Sequence, residues 1–221
     1  MEIIYVVLDD TMQFDNFSRY VRLLPPERRE KISRYRFDKD KLRSLAAGLL
    51  IRRVTGGGEL IYGEHEKPYL ADEALFFSVS HSGDIVAIAS DTAEVGCDVE
   101  VIPAEKRLKI ADRFYHPNER EYVYSSDDKT RAFCRIWTRK EAYLKMTGEG
   151  ISSDFTAFDT TSEPLTSQIY TKDMGEYSLS VCSAEPIAEE NIHISKSELK
   201  SLVIQAPFGK GSCHRTRVSG D

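Results

Sequence analysis

Cysteine is sparse in this chain, with four in 221 residues (Cys97, Cys134, Cys182 and Cys213), and no two stand in C-x-x-C spacing. That argues against a disulfide-stapled scaffold and the usual thiolate zinc site, and the expectation is reduced thiols and a cytoplasmic home. No charged-then-apolar leader precedes the strand-like M-E-I-I-Y-V-V-L, and no apolar run approaches the roughly eighteen residues of a membrane span. Positive charge is also short: 30 Lys and Arg stand against 36 Asp and Glu, a net charge of −6. A general nucleic-acid binder is thereby argued against, and any polyanion has to be met by a local basic pocket. What is present is a globular composition, long enough for one large domain or two small ones without structural metal.

Strand patterning covers residues 3–8, and Pro25-Pro26-Glu27 opens a charged helix with six basic residues between Arg28 and Lys39. A second helix, about 39–54, spaces Leu42, Leu45, Ala46, Leu49 and Leu50 along one core face and stops at T-G-G-G. Residues 76–80 and 85–89 read as a hairpin around the turn S-H-S-G-D, with V-G-C-D-V-E as a further strand of the same small sheet. Helices are expected over about 104–114, 118–124 and 128–146, the last again stopping at T-G, and strands near 167–170 and 177–184. Gly56 and Gly148 end the two T-G helices, Gly83 and Gly175 fall in the two hairpin turns, and both pairs are 92 residues apart. Two elements in register suggest a duplicated α/β unit with a cleft between the copies. The stretch from Ala206 lacks periodicity and reads as a loose tail.

Four features carry chemistry, the fourth being the basic N-terminal helix with Arg28, Lys31 and, on the next helix, Arg43, which reads as an anion pocket or, taken alone, as a solvated charged face. In V-G-C-D-V-E (95–100), period-two alternation puts Val95, Cys97 and Val99 on one face and both carboxylates, Asp98 and Glu100, on the other. In W-T-R-K-E-A-Y-L-K (137–145), Trp137, Glu141 and Lys145 recur every four residues along one helix face. Three carboxylates from a strand end and a facing helix suit a hard divalent cation. The third is S-V-S-H-S-G-D, which sets His81 in a tight turn beside Ser80 and Ser82, where imidazole, hydroxyls and turn N–H groups can meet phosphate. Each has a plainer reading taken alone: a solvated acidic turn, an exposed i,i+4 ion pair, a surface histidine.

V-G-C-D-V-E, followed at 43 residues from Asp98 to Glu141 by W-T-R-K-E-A-Y-L-K, resembles the paired motif of the 4′-phosphopantetheinyl transferases, G-[IV]-D-x-E and [FW]-[ST]-x-K-E-x-x-x-K. Similarity to the larger, monomeric, surfactin-synthetase-activating type extends to P-E-R-R-E-K, L-R-S-L-A-A-G-L-L-I-R, K-P-Y-L and S-H-S-G, over most of residues 1–185. The resemblance implies an α+β fold of two similar α/β subdomains, 1–100 and 101–205, related by pseudo-twofold duplication, with the site in the cleft and 206–221 as tail. It implies transfer of phosphopantetheine from coenzyme A to a serine of an apo carrier protein. Asp98, Glu100 and Glu141 would hold Mg²⁺ (or Mn²⁺), and Glu141, Lys145 and Asp98 would be catalytic. Arg28, Lys31, Arg43 and His81 would surround the 3′-phosphate, with Ser80, Asp98 and Lys145 at the diphosphate. Lys67 and Pro68 would line the adenine, Lys140 belongs to the same motif, and Glu119 is a further acid of the site.

Two departures stand out: Glu66 where the family has Gly before K-P, and Cys97 where it has an aliphatic residue. Cys97 on the buried face is expected to pack rather than react. Carrier docking by an otherwise acidic chain calls for a local patch, for which 105–110, with Lys106 and Lys109, is the candidate. The competing readings are a non-catalytic divalent-metal module and a Mg²⁺-dependent diphosphate hydrolase, the latter without the R-E-x-x-E-E pattern of a Nudix helix.

Overall fold

Both edges of the central strand β5 (Ile85–Asp91) are taken, by β4 (Phe76–Ser82) and by β1 (Glu2–Val7), and this decides the architecture. The computed structural model describes residues 1–63, 67–72, 74–150 and 154–204, so Glu66, Cys213 and the expected tail lie outside the described residues. The fold is mixed α/β. The first sheet has the order β4-β5-β1-β9, with β9 (His193–Lys196) parallel to β1 and the other pairs antiparallel. V-G-C-D-V-E does not add to that sheet, although β4 is its edge strand. As β6 (Val95–Val101) it starts a second antiparallel sheet, β6-β8-β7, with β8 (Tyr177–Ser183) and β7 (Ile169–Met174). The single small sheet expected from the sequence is thus two.

Four layers follow from the patterning. Helix α1 (Pro26–Arg34) leads into α2 (Asp38–Thr55), whose Leu42, Leu45, Leu49 and Leu50 pack on Ile4, Val6, Val86 and Ile88 of the first sheet. The opposite face of that sheet, Ile3, Ile85, Ala87 and Ala89, meets Val95, Cys97, Val99, Leu179 and Val181 of the second. Alternation along β6 is as expected, and Cys97 is a buried packing residue whose thiol burial pushes up to about 12. The outer face of the second sheet is covered by α5 (Lys129–Thr147). The approach is closest at Gly96, where a Cβ would stand 1.9 Å from the Ala142 carbonyl oxygen, so no side chain fits. A short ribbon, β2 (Leu60–Tyr62) paired with β3 (Pro68–Leu70), stands between α2 and β4.

The two T-G stops end their helices on left-handed glycines, Gly56 and Gly148 (φ 63° and 77°), and Gly83 and Gly175 turn the two hairpins (φ 54° and 64°). Other boundaries moved. Helix 104–114 begins as a 3₁₀ turn and becomes α3 (Lys109–Phe114), ahead of α4 (Pro117–Ser125). Ser167 belongs to α6 (Leu165–Gln168), so β7 starts at Ile169, and α7 (Ser201–Ile204) closes the described chain. His81 lies in β4, paired with Val86, and the turn itself is only Gly83-Asp84. Strand pairing through Ser82 leaves the loop no longer than those two residues.

Candidate active site

Strands β4 and β6 are joined by side chains: the Ser80 hydroxyl donates to Asp98 Oδ1 (2.8 Å) and the Ser82 hydroxyl to Glu100 Oε2 (2.6 Å). Opposite them, Glu141 and Lys145 stand one helical turn apart on α5, and Lys145 Nζ donates to Asp98 Oδ1 (2.6 Å) and Ser80 Oγ (3.0 Å). Trp137, two turns before Lys145, stacks instead with Phe133 and packs on Phe155.

These charges are poorly solvated. Burial raises the pKa of Asp98, with Lys145 opposing, and burial then Asp98 push the Glu141 carboxyl up to about 7. Burial also raises Glu100. For Lys145 burial disfavours the charge, but the Asp98 carboxylate outweighs it and holds the ammonium above its ordinary range.

Two connected cavities flank the cluster. The larger, about 570 Å³, is lined by Arg28 and Lys31 of α1, by Tyr62, Pro68, Ser80 and His81, and by Lys145. The smaller, about 280 Å³, continues past Lys145 along Glu141, Lys67, Pro68, Phe77, Val79 and Leu144. Pro68, Val79 and Lys145 line both, so the cleft is continuous, cationic at one end and largely apolar at the other. Protein atoms around the His81 ring, then the charges of Arg43, Lys145 and Lys31, lower its pKa. Arg43 braces the adjoining turn, donating from Nε to the Gly83 carbonyl (2.8 Å) and from Nη1 to Asp40 (2.8 Å). Lys67 bridges the ribbon to α5 through the Met146 carbonyl (2.9 Å).

Lys140 and Glu119 are brought together, but away from the cleft. Both are 0% exposed, and Lys140 Nζ spends its three donors on Glu119 Oε2 (2.8 Å) and the carbonyls of Phe155 (2.6 Å) and Phe158 (2.8 Å). Glu119 also accepts from the His116 N–H in a capping box and from the Thr160 N–H and hydroxyl. Neither group is left free to touch a ligand. Lys140 is one residue from Glu141 and so about 100° around the helix, which is why a shared motif does not give a shared face. Sequence reasoning named Ser82 only as a hydroxyl beside His81 and passed over Tyr62. Ser82 was legible as the i+2 neighbour of Ser80 on the same strand face, whereas nothing local marked Tyr62.

Among the described residues no three His, Cys, Asp or Glu side chains form a ready-made metal site, and Asp98 Oδ1 is engaged by Lys145. The donor set nevertheless fits a hard divalent cation. Asp98 Oδ2 is buried without a hydrogen-bond partner, and Glu141 is raised by the negative charge of Asp98 and Glu100 beside it.

A family model for the 4′-phosphopantetheinyl transferase superfamily matches residues 94–195, and one for the N-terminal part of 4′-phosphopantetheinyl transferases matches 11–93. The chain is 34% identical to the 4′-phosphopantetheinyl transferase psf-1 of Bacillus pumilus, over 78% of this chain and 84% of that one. It is 27% identical to the 4′-phosphopantetheinyl transferase Sfp of Bacillus subtilis strain 168 (87% and 96%), and 36% identical to AcpT of Salmonella typhimurium (62% and 73%). The chain belongs to the 4′-phosphopantetheinyl transferase superfamily. It is a transferase of the Sfp-like type.

Proposed function

We propose that the chain transfers the 4′-phosphopantetheine arm of coenzyme A to a serine hydroxyl of an apo carrier protein, acyl, peptidyl or aryl, releasing 3′,5′-ADP. The polarity of one continuous cleft carries this reading: Arg28, Lys31 and His81 line one end, Lys145 and Glu141 the middle, and apolar side chains the other end. A donor with a nucleoside 3′-phosphate, a diphosphate and an uncharged arm has that same order of parts.

The serine oxygen attacks the β-phosphorus, and the bond from that phosphorus to the bridging oxygen breaks. Charge develops on the leaving phosphate of 3′,5′-ADP, where the Lys145 ammonium, oriented by Asp98 and Ser80, meets it. Glu141 accepts the serine proton. Mg²⁺, or Mn²⁺ in its place, held by Asp98, Glu100 and Glu141, would neutralise charge on the diphosphate. Lys67 and Pro68 wall the cleft beside the base. Arg28→Ala and Lys31→Ala should each raise the KM for coenzyme A about 10-fold, and leave dephospho-coenzyme A, which lacks the 3′-phosphate, much less affected. Equal shifts on both donors would remove these cations from the 3′-phosphate.

The proposal extends to architecture: residues 1–100 and 101–205 are copies of one unit, facing each other across the cleft in a cytoplasmic monomer. Element spacing supports the duplication. Pro26–Arg34 recurs as Pro117–Ser125 at an offset of 91, and Ile85–Asp91 as Tyr177–Ser183 at 92. The register Glu2 to Ser90 recurs as Val95 to Ser183 at 93. Carrier docking at 105–110 is supported by Arg107, whose charge acts on Glu100; the Lys106 side chain lies outside the described structure. Lys109→Glu should raise the KM for the carrier while leaving that for coenzyme A unchanged, and an unchanged carrier KM would count against docking there.

A further inference from the structure

The β2–β3 ribbon presents different chemistry on its two faces. In the antiparallel register Tyr62 stands opposite Pro68 and Ile61 opposite Tyr69, so alternation sends Tyr62 and Pro68 to one side and Ile61 and Tyr69 to the other. Ile61 and Tyr69 line a separate groove of about 330 Å³, whereas Tyr62 and Pro68 line the large cationic cavity. Tyr62 is 57% exposed and contributes the one phenol ring among the described residues lining that cavity, with Ala47 and Val79 completing its apolar wall. The polar lining groups are Arg28, Lys31, His81, Ser80 and Lys145, with one carboxylate, Glu27. A predominantly cationic lining with an exposed aromatic face suits a nucleoside that carries phosphates. A planar base stacks on such a ring without needing hydrogen-bond readout, and the contact covers apolar surface left open to water.

Resting on the function proposed above, we infer that Tyr62 is the stacking platform for the adenine of coenzyme A, with Pro68 beside it, and that it sets how strongly the enzyme depends on the donor's base. The phosphates anchor the ribose; Tyr62 fixes the base that projects from it. The ring is required and the phenolic hydroxyl is not.

The test is direct binding of 3′,5′-ADP, and of the corresponding base-free ribose bisphosphate, to the full chain and to Tyr62→Ala and Tyr62→Phe, together with the KM for coenzyme A. Tyr62→Ala should weaken 3′,5′-ADP binding about 5- to 100-fold and raise the KM by a similar factor, the effect falling on KM rather than kcat. Tyr62→Phe should bind like the wild type, and the base-free ligand should bind wild type and Tyr62→Ala alike. If the wild type binds 3′,5′-ADP and transfers, but Tyr62→Ala binds it equally well, this inference is overturned while the function stands. A Phe variant as weak as the Ala variant also overturns it. A wild type that neither binds 3′,5′-ADP nor transfers fails both.

Discussion

Glu119→Ala is expected to lower stability by about 3–5 kcal/mol, the usual cost of removing one partner from a buried ion pair. The Lys140 ammonium would keep its two carbonyl contacts but lose its counter-ion in a fully buried site, and the Thr160 hydroxyl and N–H and the His116 N–H would lose their acceptor. Three pieces of chain depend on this network: α4 through its capping box, the 155–160 segment through carbonyls and Thr160, and α5 through Lys140. Glu119→Leu combined with Lys140→Met should recover a large part of the loss, since an apolar pair of similar size leaves no charge stranded. Urea unfolding midpoints measure both. A Glu119→Ala midpoint equal to wild type would mean that the pair holds nothing together.

The second large effect is on turnover. Glu141→Gln keeps the size of the side chain and removes its charge and proton affinity, so kcat should fall about 10²- to 10⁴-fold while affinity for coenzyme A changes little. The cationic end of the cleft, at Arg28, Lys31 and His81, does not include Glu141, so a donor held there should still bind. Near-normal kcat would take Glu141 out of the mechanism.

Helices and their ends were legible because the local signals agree with the tertiary outcome. The T-G stops became left-handed caps at Gly56 and Gly148, and the leucine spacing of α2 became its buried face. V-G-C-D-V-E was legible for the same reason, its odd positions entering the core and Asp98 turning to α5. What was not legible depends on contacts distant in sequence. β6 joins Tyr177–Ser183, far along the chain, rather than the neighbouring hairpin. Lys140 looked like part of the site because its neighbour is; its fate is set by Glu119, 21 positions earlier, and by carbonyls 15 and 18 residues later. Tyr62 reaches the cleft only through the register of a three-residue ribbon.

The measurement closest to the central claim is the mass of an apo carrier protein after incubation with this chain, coenzyme A and Mg²⁺. The expected result is a gain of one phosphopantetheine on the carrier serine with 3′,5′-ADP released, and little or no gain with Glu141→Gln over the same time. No gain by the wild type with any of several acyl, peptidyl and aryl carriers would contradict the account.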